Sequence, residues 1–275
     1  MIDLHTHILP GIDDGSQSLE TSLEMARMAV ADGTTIMACT PHIYPGLYMN
    51  NSAGIHAERD KLQMALDTYG IPLRLVVGAD AHLVPELPEG LRTGRIPTLN
   101  GSKYFLLEPS HNVLPPRFEE SVFDVMAAGY IPVITHPERL VWIEDHYDQF
   151  ITLAKRGAWL QLTAGALVGK FGKRARYWSE RLLADGVIHI VASDAHTTSV
   201  RSPRMSDAIP DLEKAVGKEE THRLLQERPQ AILDDIDPSQ VTPAPGLHAA
   251  TQHEDETPSG FSRLMGLFKN SARQR

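Results

Sequence analysis

The chain has 275 residues and a formal net charge of −9, which argues against nucleic-acid binding because such proteins normally present a basic surface. Its hydrophobic fraction of 42% and charged fraction of 22% are typical of a globular protein, and no run of about twenty apolar residues could cross a membrane. Cys39 is the one cysteine, so an internal disulfide is excluded. No basic stretch followed by an apolar segment marks a signal peptide, and we expect a cytoplasmic protein.

Short apolar runs rich in β-branched residues alternate with segments of helical period along most of the chain. The runs predict strands at residues 2–4, 35–39, 73–79, 104–107, 131–135, 159–163 and 187–192. The helical segments between them end near Gly33, Gly70, Gly129 and Gly186. This alternation predicts an α/β fold with a buried parallel sheet, which either a closed barrel or a doubly wound open sheet would satisfy.

The composition changes near Asp237. Residues 237–275 are at first rich in Pro, Thr, Gln and Gly, and they end in "FSRLMGLFKNSARQR", where apolar and basic side chains mix. We therefore predict one domain over residues 1–236, followed by a flexible linker and a short basic, apolar C-terminal tail over residues 237–275. The composition favours a disordered end, and weak contact of the tail with an anionic membrane surface is the alternative.

Histidines and acids recur where the predicted strands end. Every strand but the sixth delivers them, in the motifs "DLHTH…LPGIDDGS", "TPH", "GAD", "LLE", "HPER" and "SDAH", whereas the sixth ends at "QLTAG" and offers none. The residues are His5, His7, Asp13, Asp14, His42, Asp80, Glu108, His136, Asp194 and His196. Loops after the strands of a parallel barrel converge on one mouth, so this series favours the barrel over the open sheet.

So many imidazoles and carboxylates at one rim predict a metal cluster. A single loop histidine is more often structural than ligating, but a crowd of such groups would repel or desolvate one another unless cations neutralised them. The mixed set without thiolate suits Mn²⁺, Fe²⁺ or Zn²⁺, and its size favours two or three ions. His82 is a minor further candidate near the mouth, whereas His111 is interpreted as an ordinary loop residue.

Three arginines on the same loops point to a phosphate ester as the substrate. Arg117 follows the fourth strand, Arg139 follows His136 in "HPER", and Arg201 follows the last strand. Guanidinium groups hold phosphate oxygens in bidentate fashion, although each arginine alone is more often a surface ion-pair partner. Multinuclear metal sites typically support displacement at phosphorus, so we expect metal-assisted hydrolysis.

The motifs "DLHTH…LPGIDDGS", "TPH", "LLE", "HPER" and "ASDAH" together resemble the polymerase-and-histidinol-phosphatase (PHP) superfamily. Within it, they are most similar to the bacterial protein-tyrosine phosphatases that regulate capsule and exopolysaccharide synthesis. The resemblance runs from Met1 to about Ile232. It implies a distorted (β/α)7 barrel of the PHP type that binds three metal ions, most often manganese.

By matching position, the resemblance also implies how the ligands are divided among the ions. The implied ligands of the first ion are His5, His7, Asp80 and Asp194. Those of the second are Asp14, His42 and His196, with Asp13 as a substitute for Asp14. The third ion is held by Glu108 and His136 and shares Asp80 with the first. The family usually has Glu at the position of Asp80, so the bridging side chain of this protein is one methylene shorter.

The function that the resemblance implies is hydrolysis of phosphotyrosine on proteins, with a tyrosine kinase that controls capsule or exopolysaccharide synthesis and export as the partner. We hypothesise in-line attack of a metal-bridging hydroxide on phosphorus, with Arg139 and Arg201 holding the equatorial oxygens and Arg117 helping at the rim. Homo-oligomers occur in this family, and the sequence leaves assembly open.

Two other functions remain open at this point. One is a small-molecule phosphatase of the histidinol-phosphate type in the same superfamily, and the other is a non-catalytic module that binds metal without hydrolysing a phosphoester. A cysteine-based tyrosine phosphatase is excluded, because Pro45 rather than arginine lies six residues after Cys39.

Overall fold

The computed structural model describes residues 1–247, and every strand predicted from the sequence is present in it. The strands in this range are β1 (Ile2–Thr6), β2 (Ile36–Cys39), β3 (His42–Tyr44), β4 (Tyr48–Met49), β5 (Arg74–Val77), β6 (Asp80–His82), β7 (Tyr104–Glu108), β8 (Ile131–Thr135), β9 (Trp159–Thr163) and β10 (Ile190–Ala192). The α-helices are α1 (Leu19–Ala31), α2 (Ser52–Thr68), α3 (Leu87–Arg92), α4 (Phe118–Ala127), α5 (Ile143–Lys155), α6 (Ala164–Leu167), α7 (Gly172–Ala184), α8 (Ile209–His222) and α9 (Arg228–Leu233).

The strands form two sheets, and the chain crosses from one to the other. β1, β2 and β5 make one sheet with β2 in the middle, and the other runs in the order β10, β9, β8, β7, β6, β3, β4. The pairs are parallel apart from the β3–β4 hairpin. β2 leads into β3 and β5 leads into β6 across two residues each, so the chain passes from one sheet to the other twice.

The first and last strands also meet at their carboxyl ends. The backbone N–H of His7 donates to the carbonyl of Ala195 at 2.8 Å, and the N–H of Asp194 donates to the carbonyl of His5 at 2.9 Å. The carboxyl end of β1 therefore lies beside the carboxyl end of β10, which brings the loops after both strands to one place.

The helices begin and end where local chemistry predicts. The Ser18 side chain caps α1 by accepting a hydrogen bond from the Thr21 N–H at 3.1 Å. Gly33 follows the helix with φ of 94°, a conformation that glycine adopts without steric strain. α2, α4 and α7 likewise stop just before Gly70, Gly129 and Gly186, as expected from the sequence.

Outside the β3–β4 hairpin the strands are largely buried on both faces, which explains their continuous apolar runs. On β7, Phe105 and Leu107 pack into the larger hydrophobic cluster, whereas the intervening Leu106 packs into a second, smaller one. Most polar side chains of the candidate centre therefore lie at or just beyond the carboxyl ends of the strands, where the apolar packing stops.

Residues 237–247 contact the body of the domain. The guanidinium of Arg228 donates to the carbonyls of Thr242 at 3.0 Å and Pro243 at 2.9 Å, and the N–H of Gly246 donates to Gly186 at 2.9 Å. The predicted tail from residue 248 onward lies outside the described residues, and the domain boundary at residue 236 stays a prediction. No helix in the described range is long and apolar enough to span a bilayer.

Candidate metal centre

The nine residues predicted as metal ligands lie together at the carboxyl ends of the strands. They are His5, His7, Asp14, His42, Asp80, Glu108, His136, Asp194 and His196. All are buried except Asp14, whose side chain is 46% exposed. Residues from distant parts of the chain thus form one centre, which is the arrangement that the sequence predicts.

A first group surrounds the Nε2 atom of His5. This atom lies 3.4 Å from Asp80 Oδ2, 3.4 Å from Asp194 Oδ1 and 3.3 Å from His7 Nε2. Two ligand atoms that each lie about 2.1 Å from a tetrahedral ion are about 3.4 Å apart, so these separations are those of a metal-binding set.

A second group centres on Asp14. Its Oδ1 atom lies 3.4 Å from the Nε2 atoms of both His42 and His196, and His7 completes the group. Asp13 has a different place, because its Oδ2 accepts a hydrogen bond from His7 Nδ1 at 2.7 Å and another from the His42 N–H at 3.1 Å. Asp13 therefore orients the His7 imidazole and holds the backbone of His42, and Asp14 is the carboxylate that faces the cluster.

The third group is built on Glu108. Its Oε1 lies 3.5 Å from His136 Nε2, and its Oε2 lies 3.3 Å from His42 Nδ1. His82 and His111 also reach this carboxylate, with Nε2 atoms 2.6 Å from Oε2 and 2.9 Å from Oε1 respectively.

His82 is a minor candidate from the sequence and His111 is interpreted there as a loop residue, and the structure places both beside this carboxylate. His82 lies two residues after Asp80 on the same strand, so both side chains point to one face of it. This two-residue spacing on a strand is the signal in the sequence that points to His82. His111 lies in a loop, where spacing alone gives no direction.

Orphaned buried atoms show that the residues fit metal ions. Both carboxylate oxygens of Asp80, Oδ1 of Asp194 and Nε2 of His196 are buried and accept or donate no hydrogen bond within the described residues. A buried polar group without a partner is costly unless a ligand satisfies it. Several such atoms converging on one centre, all of them oxygens or imidazole nitrogens, match the donor set of divalent metal ions.

The carboxylates of the centre are held in their ionised forms. Burial raises the pKa of Asp194, but His5 and the guanidinium of Arg139 outweigh it and hold that pKa well below the usual range. Burial likewise opposes ionisation of Glu108, yet hydrogen bonding from His111 and other imidazoles holds its pKa well below the usual range. Ionised carboxylates are the forms that bind metal.

Neighbouring carboxylates raise the pKa values of two imidazoles of the centre. Burial lowers the pKa of His5, but Asp194 and Asp80 outweigh it and raise that pKa to about 9. The pKa of His42 is raised to about 11, because contacts with Asp80 and Glu108 outweigh burial. These carboxylates attract positive charge, which bound divalent ions also supply.

A further contact orients a candidate ligand from outside the cluster. His5 Nδ1 lies 2.8 Å from Gln161 Oε1, so the amide oxygen accepts the Nδ1–H and leaves Nε2 free to bind an ion. Gln161 comes from β9, the strand that the sequence interpretation passes over because it ends without a ligand. Amides give no metal-ligand signature, so the sequence contained no cue for this role.

The loop after β1 requires its glycine. A Cβ atom on Gly15 would lie 2.1 Å from the carbonyl oxygen of His7, so only glycine lets the loop turn back against the ligand. The Gly15 N–H donates to Asp13 Oδ1 at 2.9 Å, and the Ser16 N–H donates to the His7 carbonyl at 2.9 Å. "IDDGS" therefore folds so that one aspartate orients His7 while the next faces the cluster.

Two of the three predicted arginines reach the centre. Arg139 and Arg201 both pair with Asp194 Oδ2, the latter at 2.7 Å, and Arg139 also lies over the Phe171 ring at 4.5 Å. Both line a cavity of about 300 Å³ together with the metal-ligand candidates.

Arg117 lies apart from this cavity. It is exposed, pairs with Glu120 and lines a neighbouring groove. Its predicted role at the rim stays a prediction.

Cys39 takes no part in the centre. It is buried at the end of β2, and burial raises the pKa of its thiol, the opposite of what a nucleophilic cysteine requires.

Comparison with known proteins agrees with this geometry. Residues 1–234 match the family model described as "Capsular polysaccharide synthesis, CpsB/CapC". The chain is 38% identical over 226 residues to the tyrosine-protein phosphatase YwqE of Bacillus subtilis, covering 82% of this chain and 89% of that protein. It is 28% identical over 242 residues to the tyrosine-protein phosphatase CpsB of Streptococcus agalactiae, covering 85% of this chain and 98% of that protein.

Solved structures give the same result at the level of the fold. A crystal structure from work on YwqE of Bacillus subtilis and CpsB of Streptococcus pneumoniae, described as unique metal-dependent tyrosine phosphatases, superimposes with a TM-score of 0.82 and 37% identity. The match covers 86% of this chain and 95% of that one. A β-aspartyl dipeptidase from Fervidobacterium islandicum shares the fold with a TM-score of 0.52 at 17% identity, over 84% of this chain and 72% of that one.

Proposed function

The chain belongs to the CpsB/CapC family of capsular polysaccharide synthesis, and from this we infer that it is a metal-dependent protein-tyrosine phosphatase. The observation that carries the inference is one cavity in which imidazoles and carboxylates with unsatisfied buried atoms lie beside two arginines. Several relatives are named tyrosine-protein phosphatases, which favours this function over the histidinol-phosphate alternative and the non-catalytic module.

The proposed resident ions are divalent, with Mn²⁺ first and Fe²⁺ or Zn²⁺ as alternatives, and three is the proposed number. The donor set of imidazoles and carboxylates without thiolate supports this choice. His5, His7, Asp80 and Asp194 would hold the first ion, Asp14, His42 and His196 the second, and Glu108, His136 and Asp80 the third. Bound there, divalent ions would supply an activated water and positive charge beside the phosphoryl oxygens.

The position of Asp80 supports its sharing between two ions. Its Oδ2 lies 3.4 Å from His5 Nε2 in the first group and 3.3 Å from His42 Nδ1, which also contacts Glu108. The shorter aspartate thus lies between both groups where the family usually has glutamate.

The arginines are proposed to bind the substrate phosphate. Hydrolysis forms a bond from a water oxygen to phosphorus and breaks the bond from phosphorus to the tyrosyl oxygen, which leaves and takes up a proton. Guanidinium groups of Arg139 and Arg201 would hold the equatorial oxygens, since their N–H donors match phosphate geometry. Asp194 fixes both groups at the cavity wall and limits the ordering that substrate binding requires.

Two finer features of the prediction remain proposals. The contacts between β1 and β10 support closure of the strands as a distorted (β/α)7 barrel. A tyrosine kinase of capsule or exopolysaccharide synthesis is the proposed partner, and the family's description as capsular polysaccharide synthesis proteins supports it.

A two-substrate assay tests the proposal. The purified chain loaded with Mn²⁺ is expected to hydrolyse a phosphotyrosine peptide, to act weakly on histidinol phosphate and to lose activity with a chelator. Preference for histidinol phosphate would establish the alternative, and bound metal without any phosphoester hydrolysis would establish the non-catalytic module.

Variants of the arginines test the phosphate site. Arg139→Ala and Arg201→Ala are each expected to lower kcat/KM about a hundredfold, since preorganised charges of this kind contribute about that much. Metal content should stay unchanged, because either variant leaves Asp194 one arginine partner. The matched control is Arg204→Ala, an exposed arginine that lines a different cavity. Full activity in Arg139→Ala would remove this residue from the mechanism.

A further inference from the structure

The short β3–β4 hairpin begins at the candidate metal centre. β3 begins at the candidate ligand His42 and pairs with β4, and Tyr44 lies opposite Tyr48 in the register. Residues directly opposite in an antiparallel pair project to the same face, and His42 shares this face because it lies two residues before Tyr44. The hairpin therefore presents two aromatic rings on the same face as the candidate metal ligand His42.

Both rings are fixed against imidazoles of the centre. The Tyr44 ring stacks on His82 with centroids 4.0 Å apart and an interplanar angle of 11°, and the Tyr48 ring stacks on His42 at 5.4 Å and 18°. His82 in turn lies 2.6 Å from the carboxylate of Glu108. Stacking of this kind orients a ring at little further entropic cost, so the two tyrosines form a preorganised surface.

The outer parts of the hairpin are exposed although they are apolar. Tyr44 is 37% and Leu47 64% exposed, and both line the catalytic cavity with Tyr48. Arg139 and Arg201 line the same cavity. One cavity thus offers charge for a phosphoryl group and an aromatic surface for an apolar body attached to it, which is the chemistry of an aryl phosphate.

We propose that Tyr44, Leu47 and Tyr48 form the wall that binds the phenyl ring of phosphotyrosine and selects aryl over alkyl phosphomonoesters. The inference rests on the proposed phosphatase function and assigns the part of the site that recognises the substrate's ring. These residues contact the substrate away from phosphorus, so they act on substrate affinity and leave phosphoryl binding to the arginines and ions.

Two inert probes separate ring binding from phosphoryl binding. Phenylphosphonate and methylphosphonate carry the same phosphonate charge, and neither has a P–O–C bond to hydrolyse. Calorimetric titration of the metal-loaded full chain is expected to show tighter binding of phenylphosphonate. Tyr44→Ala and Tyr48→Ala should each weaken phenylphosphonate binding by up to about tenfold, in the range measured for aromatic pairs, and leave methylphosphonate binding unchanged.

Conservative and remote variants serve as controls. Tyr44→Phe and Tyr48→Phe keep the ring and should retain the preference for phenylphosphonate. Tyr69→Ala removes an exposed tyrosine that follows α2 and should change neither affinity. Metal content measured on every variant reports whether a tyrosine acts only by supporting His82 or His42.

The outcomes distinguish this inference from the proposed function. Equal weakening of both phosphonates, or loss of metal in Tyr44→Ala and Tyr48→Ala, would show that the tyrosines support the centre and would overturn the inference. An unchanged preference for phenylphosphonate in a variant that combines Tyr44→Ala with Tyr48→Ala would overturn it as well. Failure of the wild-type chain to hydrolyse a phosphotyrosine peptide would instead refute the proposed function, whatever the phosphonate affinities are.

Discussion

Replacing Gln161 by leucine perturbs the metal centre without touching a ligand. The side chain lies on β9 and is fully buried, and its Oε1 accepts the Nδ1–H of His5 at 2.8 Å. This bond fixes the tautomer in which His5 Nε2 is free for an ion. Leucine has a similar size but no acceptor, so the variant removes the orienting bond while preserving the packing.

The magnitude follows from the burial of both partners. His5 is fully buried, so its Nδ1–H finds no water in the variant and is left unsatisfied at a cost of about 1–3 kcal/mol. Removal of partners that orient metal ligands typically weakens metal binding by about 10–100-fold, or about 1.4–2.8 kcal/mol. We expect a loss in this range for the ion held by His5, and no change for ions on the far side of the cluster.

Competition with a chromophoric chelator measures the affinity, and elemental analysis gives the number of ions retained. Gln161→Glu keeps an acceptor at the same place and should retain the affinity. Gln63→Leu is the matched control, because this glutamine bonds the backbone of Leu73 and Leu75 beside α2, away from the centre. It is expected to lower stability and to leave metal binding unchanged.

The reasoning would be refuted if Gln161→Leu bound every ion as tightly as the wild-type chain. That result would mean that the orientation of His5 is set by its packing or by the ions themselves. A fall in thermal stability alone, with metal affinity preserved, would assign Gln161 to the core.

Three further predictions concern stability. Arg228→Met removes the buried partner of Glu220, which lies 2.6 Å away, together with bonds to three carbonyls, so urea unfolding should show a loss of about 3–5 kcal/mol. A loss below about 1 kcal/mol would mean that the pair is solvated. Burial and the nearby Arg228 lower the pKa of His189 from 6.5 to about 3, so the unfolded chain binds an extra proton between these values and stability falls as the pH drops below 6.5. From pH 8 to pH 5 the wild-type chain should lose about 2 kcal/mol more than His189→Asn, and parallel pH profiles would contradict this. Chelation should lower Tm, because the clustered carboxylates then repel one another, and Mn²⁺ should restore it; a Tm that does not respond to chelator would show that the cluster is stable without ions.

The local elements could be predicted because each depends on nearby residues. The strand at residues 131–135 and the end of α1 before Gly33 follow from β-branched apolar runs and from the conformational freedom of glycine. The classes of candidate ligand could also be predicted, since parallel strands bring their carboxyl ends to one place: His42 lies just after β2, Glu108 ends β7 and Asp194 lies just after β10.

The partner of each group was decided only by the tertiary structure. Asp13 and Asp14 are adjacent and chemically identical, yet the turn at Gly15 directs the first to His7 and the second to the cluster. Gln161 orients a candidate ligand only because the fold places β9 beside His5 of β1. Such pairings depend on distances across the fold, which the order of residues along a chain does not contain.

The positions of the arginines and of the hairpin were likewise decided by the tertiary structure. Arg117 and Arg139 both follow ligand-bearing strands, but the structure directs only Arg139 to Asp194. Tyr44 and Tyr48 give no more signal in the sequence than other exposed tyrosines, and they face the cavity because β3 and β4 pair in one register. The sequence by itself determined the chemistry available to this protein, and packing decided which side chains meet.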